Sequence, residues 1–137
     1  MKTNIKIKFA NSSIEAEIDD SLSPKTARAI IAALPIRSQA NRWGDEIYFE
    51  ILIKEKLGKE KMKQEMDIGD IAYWVEGHSL CLFFGRTPIS VSSKPMAAVP
   101  VNIVGKIVGR VVDNIIDNVA ALKELEDGEE IRIERAG

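Results

Sequence analysis

The stretch GDIAYWVEGHSLCLFFGRTP, residues 69–88, decides the fold. Ile71 to Val75 and Leu80 to Phe84 are two apolar runs joined at Glu76-Gly77-His78-Ser79, and their continuous apolar character predicts strands buried on both faces. Alternation along the first run sends Tyr73 and Trp74 to opposite sides, so at most one of them enters a given cleft. Cys81 is the single cysteine and has no internal disulfide partner; its apolar neighbours Leu80, Leu82, Phe83 and Phe84 favour a buried, inert thiol over a nucleophile, which needs an electropositive, partly exposed setting. His78, in the turn, lacks the partners that tetrahedral zinc requires and is expected to face solvent. Arg86-Thr87-Pro88 closes the second run as an extended turn.

On the N-terminal side, Ile5, Ile7 and Phe9 alternate with lysines. After a turn at Asn11-Ser12-Ser13 the alternation resumes with Ile14, Ala16 and Ile18, which predicts a hairpin with one wet face. Ser23 before Pro24 is an N-cap signal, and Ala27, Ile30, Ile31 and Leu34 form the apolar stripe of a short helix ended by Pro35. A polar loop, Arg37 to Asp45, leads to EIYFEILI, a strand with Ile47, Phe49, Ile51 and Ile53 on one face and Glu46, Tyr48, Glu50 and Leu52 on the other. Lys54 to Glu65 mixes charges of both signs around Gly58, as a solvated loop or frayed turn does.

On the C-terminal side, the serines and prolines of Ile89 to Pro100 indicate a loop, and Val101 to Val108 a β-branched strand broken by Gly105 at a bulge or close backbone approach. Ile115, Ile116, Val119 and Leu122 recur at helical spacing, and a last strand carries Ile131 and Ile133. Two helices and seven or eight short strands make a mainly β protein, and closing such a sheet removes its edges. The expectation is a closed β-barrel of about eight strands capped by two helices.

At 137 residues the chain is long enough for one domain, residues 1–137, and too short for two ordinary ones. Nineteen basic against 21 acidic side chains leave a net charge of -2, without the basic excess that phosphate binding draws on, so no nucleic-acid partner is expected. MKTNIKIKFANSS has no continuous apolar segment, so neither a secretory signal nor a membrane anchor is expected there and the cytoplasm is the expected location.

Several phrases then resemble a known family. SPKTARAIIAAL, residues 23–34, CLFFG, residues 81–85, and VNIVGKIVGRVVDNIIDNV, residues 101–119, resemble in order the helix, cleft strand and final strand and helix of cyclophilin-fold proteins. NRWGDEIYF, residues 41–49, GDIAYW, residues 69–74, and FFGRTP, residues 83–88, resemble more closely a family of small prokaryotic cyclophilin-like proteins. The resemblance implies a cyclophilin-like barrel with a shallow cleft on one side, which in authentic cyclophilins holds a proline-containing peptide beside an arginine. Carried over, that arginine's strand falls on Ile47-Tyr48-Phe49-Glu50, where none is present, while the cleft phenylalanine falls on Phe84.

The expected role is therefore a binding module for a peptide or small ligand, lacking the usual isomerase arginine and needing no cofactor or metal. A weak prolyl isomerase and a structural or interaction domain with a vestigial cleft are the alternatives. The candidate ligand-binding residues are Arg42, Trp43, Glu46, Tyr48, Trp74, Phe84 and Arg86. Arg42 is also the candidate catalytic group, reaching the cleft from the loop; its competing role is to pair with Asp45 or Glu46 and order that loop. Glu46 and Glu50 share a face but stand about 13 Å apart along a strand, too far for a glycosidase pair.

Overall fold

The structure, a computed structural model, describes residues 1–10, 12–109, 111–112 and 115–136. The N-terminal alternation folds as expected into β1 (Lys2–Phe9) and β2 (Ser12–Asp19), paired antiparallel with Phe9 opposite Ser12. Ser12 and Ser13 thus belong to the second strand, while Asn11 lies outside the described residues. Helix α1 (Pro24–Ala33) begins where Ser23-Pro24 places it, but Ser23 makes no side-chain capping bond. The carboxylate of Glu60 takes that part, accepting from the amides of Lys25 (2.9 Å) and Thr26 (2.8 Å) at the end of the helix where backbone N–H groups lack partners.

Strands β3 (Ile36–Gln39), β4 (Asn41–Trp43), β5 (Glu46–Glu50), β6 (Met62–Glu65), β7 (Asp70–Trp74), β8 (Ser79–Phe83) and β9 (Met96–Val108) follow. After β9 come the short pair β10 (Val111–Val112) and β11 (Ile115–Ile116), helix α2 (Asp117–Leu122) and β12 (Glu130–Arg135). Ten of the strands form one antiparallel sheet in the order β3-β12-β1-β2-β9-β7-β8-β5-β4, with β6 paired to β9 beside this path. Three expected loops are therefore partly strand: Arg37 to Asp45, Lys54 to Glu65 and Ile89 to Pro100. Strands β3, β4 and β6 span only three or four residues and, apart from Ile36, none of their residues is buried, so they lack the apolar period that marks a strand in sequence. Ile115 and Ile116, read as part of a helical stripe, form β11, and Val119 and Leu122 carry the stripe into the core from α2.

The expected closed barrel of eight strands is instead a ten-stranded sheet whose ladder stays open. Its two end strands, β3 and β4, are separated in the chain by Ala40 alone, so one bent segment serves both edges. Ala40 is fully buried and continues the β12 side, donating to the Glu129 carbonyl and accepting from the Gly128 amide, both at 2.8 Å. Across the gap, Ser38 Oγ donates to the Glu50 carbonyl at 2.6 Å. A chain bend and a side-chain bond thus stand where a barrel has a backbone ladder.

The sheet curls around a core of Ile5, Ile7, Ile14, Ile47, Phe49, Leu80, Leu82, Phe84 and Ile133, among others, closed by α1 and α2. The break foreseen at Gly105 is present: Ile71 pairs with Gly105 and Ala72 with Ile103, leaving Val104 as the bulged residue. A Cβ on Gly105 would overlap the Glu17 carbonyl, so the crossing of β2, β7 and β9 leaves no room for a side chain there. Among the described residues no helix is long and apolar enough to cross a membrane.

Candidate functional site

Every residue of β8 is buried, because the strand is covered on both faces. Leu80 and Leu82 point into the main core, while Cys81 and Phe83 point outward into a second cluster with Met66, Ala72, Ala97, Val101 and Ile103. The same parity holds on the neighbouring strand: Ile47 and Phe49 face the core, so Glu46 and Tyr48 face out, paired with Phe83 and Cys81. Trp74, at the end of β7, reaches the same outer face, whereas Tyr73 goes to the core as alternation requires.

These outward side chains line a cavity of about 310 Å³, walled by Trp43, Tyr48, Trp74 and Phe83 on the sheet and by Ala97 to Val99 and Val101 on β9. Tyr48 and Trp74 meet edge to face, centroids 6.2 Å apart and planes at 80°, forming a fixed aromatic corner. Gly77 holds that corner, since a Cβ there would overlap the Trp74 ring.

One acid sits among these apolar walls. Glu46 is 7% exposed, and its Oε1 is buried without a hydrogen-bond partner. Burial pushes its carboxyl up from 4.5 to about 7, against a smaller lowering effect from the neighbouring Cys81 thiol, whose Sγ donates to the Ser79 carbonyl at 3.9 Å. The same burial, with the charge of Glu46 beside it, pushes the Cys81 thiol well above its ordinary range, so the thiol stays protonated and unreactive. A carboxyl poised near neutrality in a recess can pair with a cation when ionised, donate a hydrogen bond when neutral, or exchange a proton with a bound molecule.

Of the seven expected site residues, Trp43, Glu46, Tyr48 and Trp74 converge on this cavity. Arg42 does not line it. Its guanidinium donates to the carbonyls of Gly44 (3.0 Å), Lys123 (2.8 Å) and Leu125 (3.0 Å) and to Asp45 Oδ1 (3.1 Å), and its amide donates to Asp127 Oδ1 (2.9 Å). It lies over the Phe84 ring, 5.4 Å from the centroid, and Phe84 itself is in the main core. The parity of adjacent strand residues puts Phe83 in the cavity and its neighbour inside. Arg86 is exposed and donates to the Ser90 carbonyl at 3.1 Å, away from the cavity. Cys81, Phe83, Ala97, Ala98, Val99 and Val101 were not among the expected site residues. Alternation alone pairs Cys81 and Phe83 with one face, but which face they share with Glu46 follows from a register between strands distant in sequence. Among the described residues no group of three or more His, Cys, Asp or Glu is placed to hold a metal ion.

Comparison with known proteins agrees with the architecture. A family model described as cyclophilin-like matches residues 3–134. The chain belongs to the cyclophilin-like family. It is similar to a hypothetical protein of Archaeoglobus fulgidus, known from a solution structure, at 42% identity over 98% of this chain and 95% of that one, with a TM-score of 0.78. It also shares the fold of a cyclophilin type peptidyl-prolyl cis-trans isomerase of Cryptosporidium parvum, at 13% identity, a TM-score of 0.61 and coverage of 100% and 99% of the two chains. No curated protein matches it.

Proposed function

We propose that this chain, as one cytoplasmic domain, is a binding module that holds a peptide or small ligand in the aromatic-walled cavity and does not catalyse prolyl isomerisation efficiently. The observation that carries the reading is Glu46 Oε1, a buried polar atom without a partner at a cavity of about 310 Å³. A buried acceptor left unpaired costs about 1–3 kcal/mol, which a ligand donor recovers. The volume suits a small ligand or one side chain of a peptide.

Isomerisation has an amide barrier of about 18–20 kcal/mol, lowered by groups placed to favour the twisted state. None of the described residues lining the cavity is a lysine or arginine, and the donors of Arg42 are engaged by carbonyls and Asp45. Both tryptophans of the chain, Trp43 and Trp74, border the cavity, so intrinsic fluorescence reports its occupancy directly. The test pairs that fluorescence with a proline-peptide exchange assay. Saturable fluorescence change without accelerated exchange is the expected result; rapid cis-trans interconversion would overturn the proposal.

A further inference from the structure

The cavity's chemistry narrows the ligand class. An anion would meet Glu46 with no cationic side chain among the described lining residues to hold it. A wholly apolar ligand would seal Glu46 Oε1 away from water while giving it no donor. A positively charged nitrogen bearing alkyl groups meets both demands. Its charge pairs with the carboxylate, and its polarised C–H or N–H groups lie against the electron-rich faces of indole and phenol rings. Three such rings, Trp43, Tyr48 and Trp74, border the cavity with Glu46. Two of them stand nearly perpendicular, so that they wall a compact group on two sides.

We infer that the cavity is a receptor for an alkylammonium group, its charge paired with Glu46 and its carbon substituents packed against Trp43, Tyr48 and Trp74. The inference rests on reading the cavity as a ligand site. Among the described residues, the surroundings of Glu46 leave that charge pair without a competitor. On its own strand the facing titratable group is Tyr48, and on β8 it is the Cys81 thiol, held neutral. The β9 wall contributes Ala97, Ala98, Val99 and Val101, and β7 contributes Trp74. On β4 the nearby cation, Arg42, is bonded away toward Lys123, Leu125 and Asp45. A small free amine and a lysine side chain on a peptide both supply the required chemistry.

Two matched pairs of probes test the inference by tryptophan fluorescence: choline against its neutral isostere 3,3-dimethyl-1-butanol, and N-acetyl-lysine methylamide against N-acetyl-norleucine methylamide. The cationic member of at least one pair should bind about tenfold or more tightly than its neutral partner, and which pair discriminates tells a free amine from a peptide side chain. Choline has no titrating proton of its own in the range used. Its affinity should therefore rise toward tenfold per pH unit below about pH 7 and level off above, as the free carboxyl ionises. Glu46→Gln should lower cation affinity by about tenfold or more and flatten that profile. If the variant does not fold, the pH profile of the unaltered protein decides alone. Equal binding of charged and neutral members would overturn the cation assignment while leaving the cavity a ligand site. A flat pH profile would overturn it as well. Silence with all four probes would also reject the inference, and silence extending to proline peptides would reject the binding proposal beneath it.

Discussion

Glu46→Gln makes a quantitative claim on the fold, independent of any ligand. In the folded chain burial holds the Glu46 carboxyl at about 7, against 4.5 for an ordinary glutamate. The folded protein therefore keeps a proton that the unfolded chain has already released. Its contribution to stability is full below about pH 4.5, falls as pH rises, and is lost above about pH 7. At about 1.4 kcal/mol per unit, the whole decline is worth about 3 kcal/mol. The substituted amide has no proton to lose, so the variant gains on the unaltered protein by that amount between the two limits, with a slope of about 1.4 kcal/mol per pH unit. Any fixed cost of burying an amide shifts the whole difference curve without tilting it. Asp19, Asp20, Glu60, Asp67 and Glu134, whose carboxyls are lowered by hydrogen bonds or nearby cations, titrate in both proteins and cancel. Urea unfolding followed by far-ultraviolet circular dichroism, from about pH 4 to about pH 9, gives the curve. A difference that stays flat across this range would show that Glu46 is solvated and refute the account of the site.

Three further variants probe the supports of the cavity. Gly77→Ala should cost about 1–3 kcal/mol and shift the tryptophan emission, because its Cβ displaces the Trp74 ring; an unchanged spectrum would mean the ring is not held there. Arg42→Ala should lower stability by about 2 kcal/mol and speed amide hydrogen exchange around residues 123–128, since it frees the carbonyls of Lys123 and Leu125; normal exchange there would contradict its role as a tie. Asn102→Ala should cost about 3 kcal/mol in urea unfolding, as it removes bonds to Thr26 Oγ1, the Gly58 carbonyl and the Glu60 amide within the fold; a loss under about 1 kcal/mol would mean that water replaces them.

What could be read in the sequence followed the period of its apolar residues. EIYFEILI and Leu80 to Phe84 carry enough alternation or continuous apolarity to place their strands and to assign Ile47, Phe49, Leu80 and Leu82 to the core. Strands β3, β4 and β6 left no such mark, because a short strand wet on one side is written in polar residues. The candidate site was legible where it lay on one strand, since alternation along β5 puts Glu46 and Tyr48 on one face; Trp43 joins them through the β4–β5 pairing, in which it stands opposite Glu46. The cleft phenylalanine was placed on Phe84, one residue from Phe83, which lines the cavity, since a single residue of register decides which of the two meets it. The pairing of Arg42 with Asp45 was readable in the sequence, but its partners at Lys123 and Leu125 were hidden for another reason. They are backbone carbonyls some eighty positions away, and carbonyls have no sequence signature.

The placement of the cavity explains how the fold tolerates an ionisable group among its apolar side chains. Because the site lies on the outer face of β5, β7 and β8, the residues that line it alternate with those that hold the main core, and neither set occupies the other's space. The opposite wall is less securely founded. Ala97 to Val101 belong to the half of β9 that pairs with β6, and β6 follows directly on Glu60 and Lys61. Glu60 is anchored by the start of α1 and by Asn102, which stands next to Val101 of the cavity wall and is fully buried. A chain of polar bonds, exposed at its helix end and partly buried farther on, thus runs from the helix N-terminus to the wall facing Glu46. Such bonds are directional and fail together when one partner is lost, unlike apolar packing, which yields gradually. The width of the cavity is therefore set by hydrogen bonds on one side and by aromatic contact on the other, and the polar side is the one through which a distant substitution would reach the cavity.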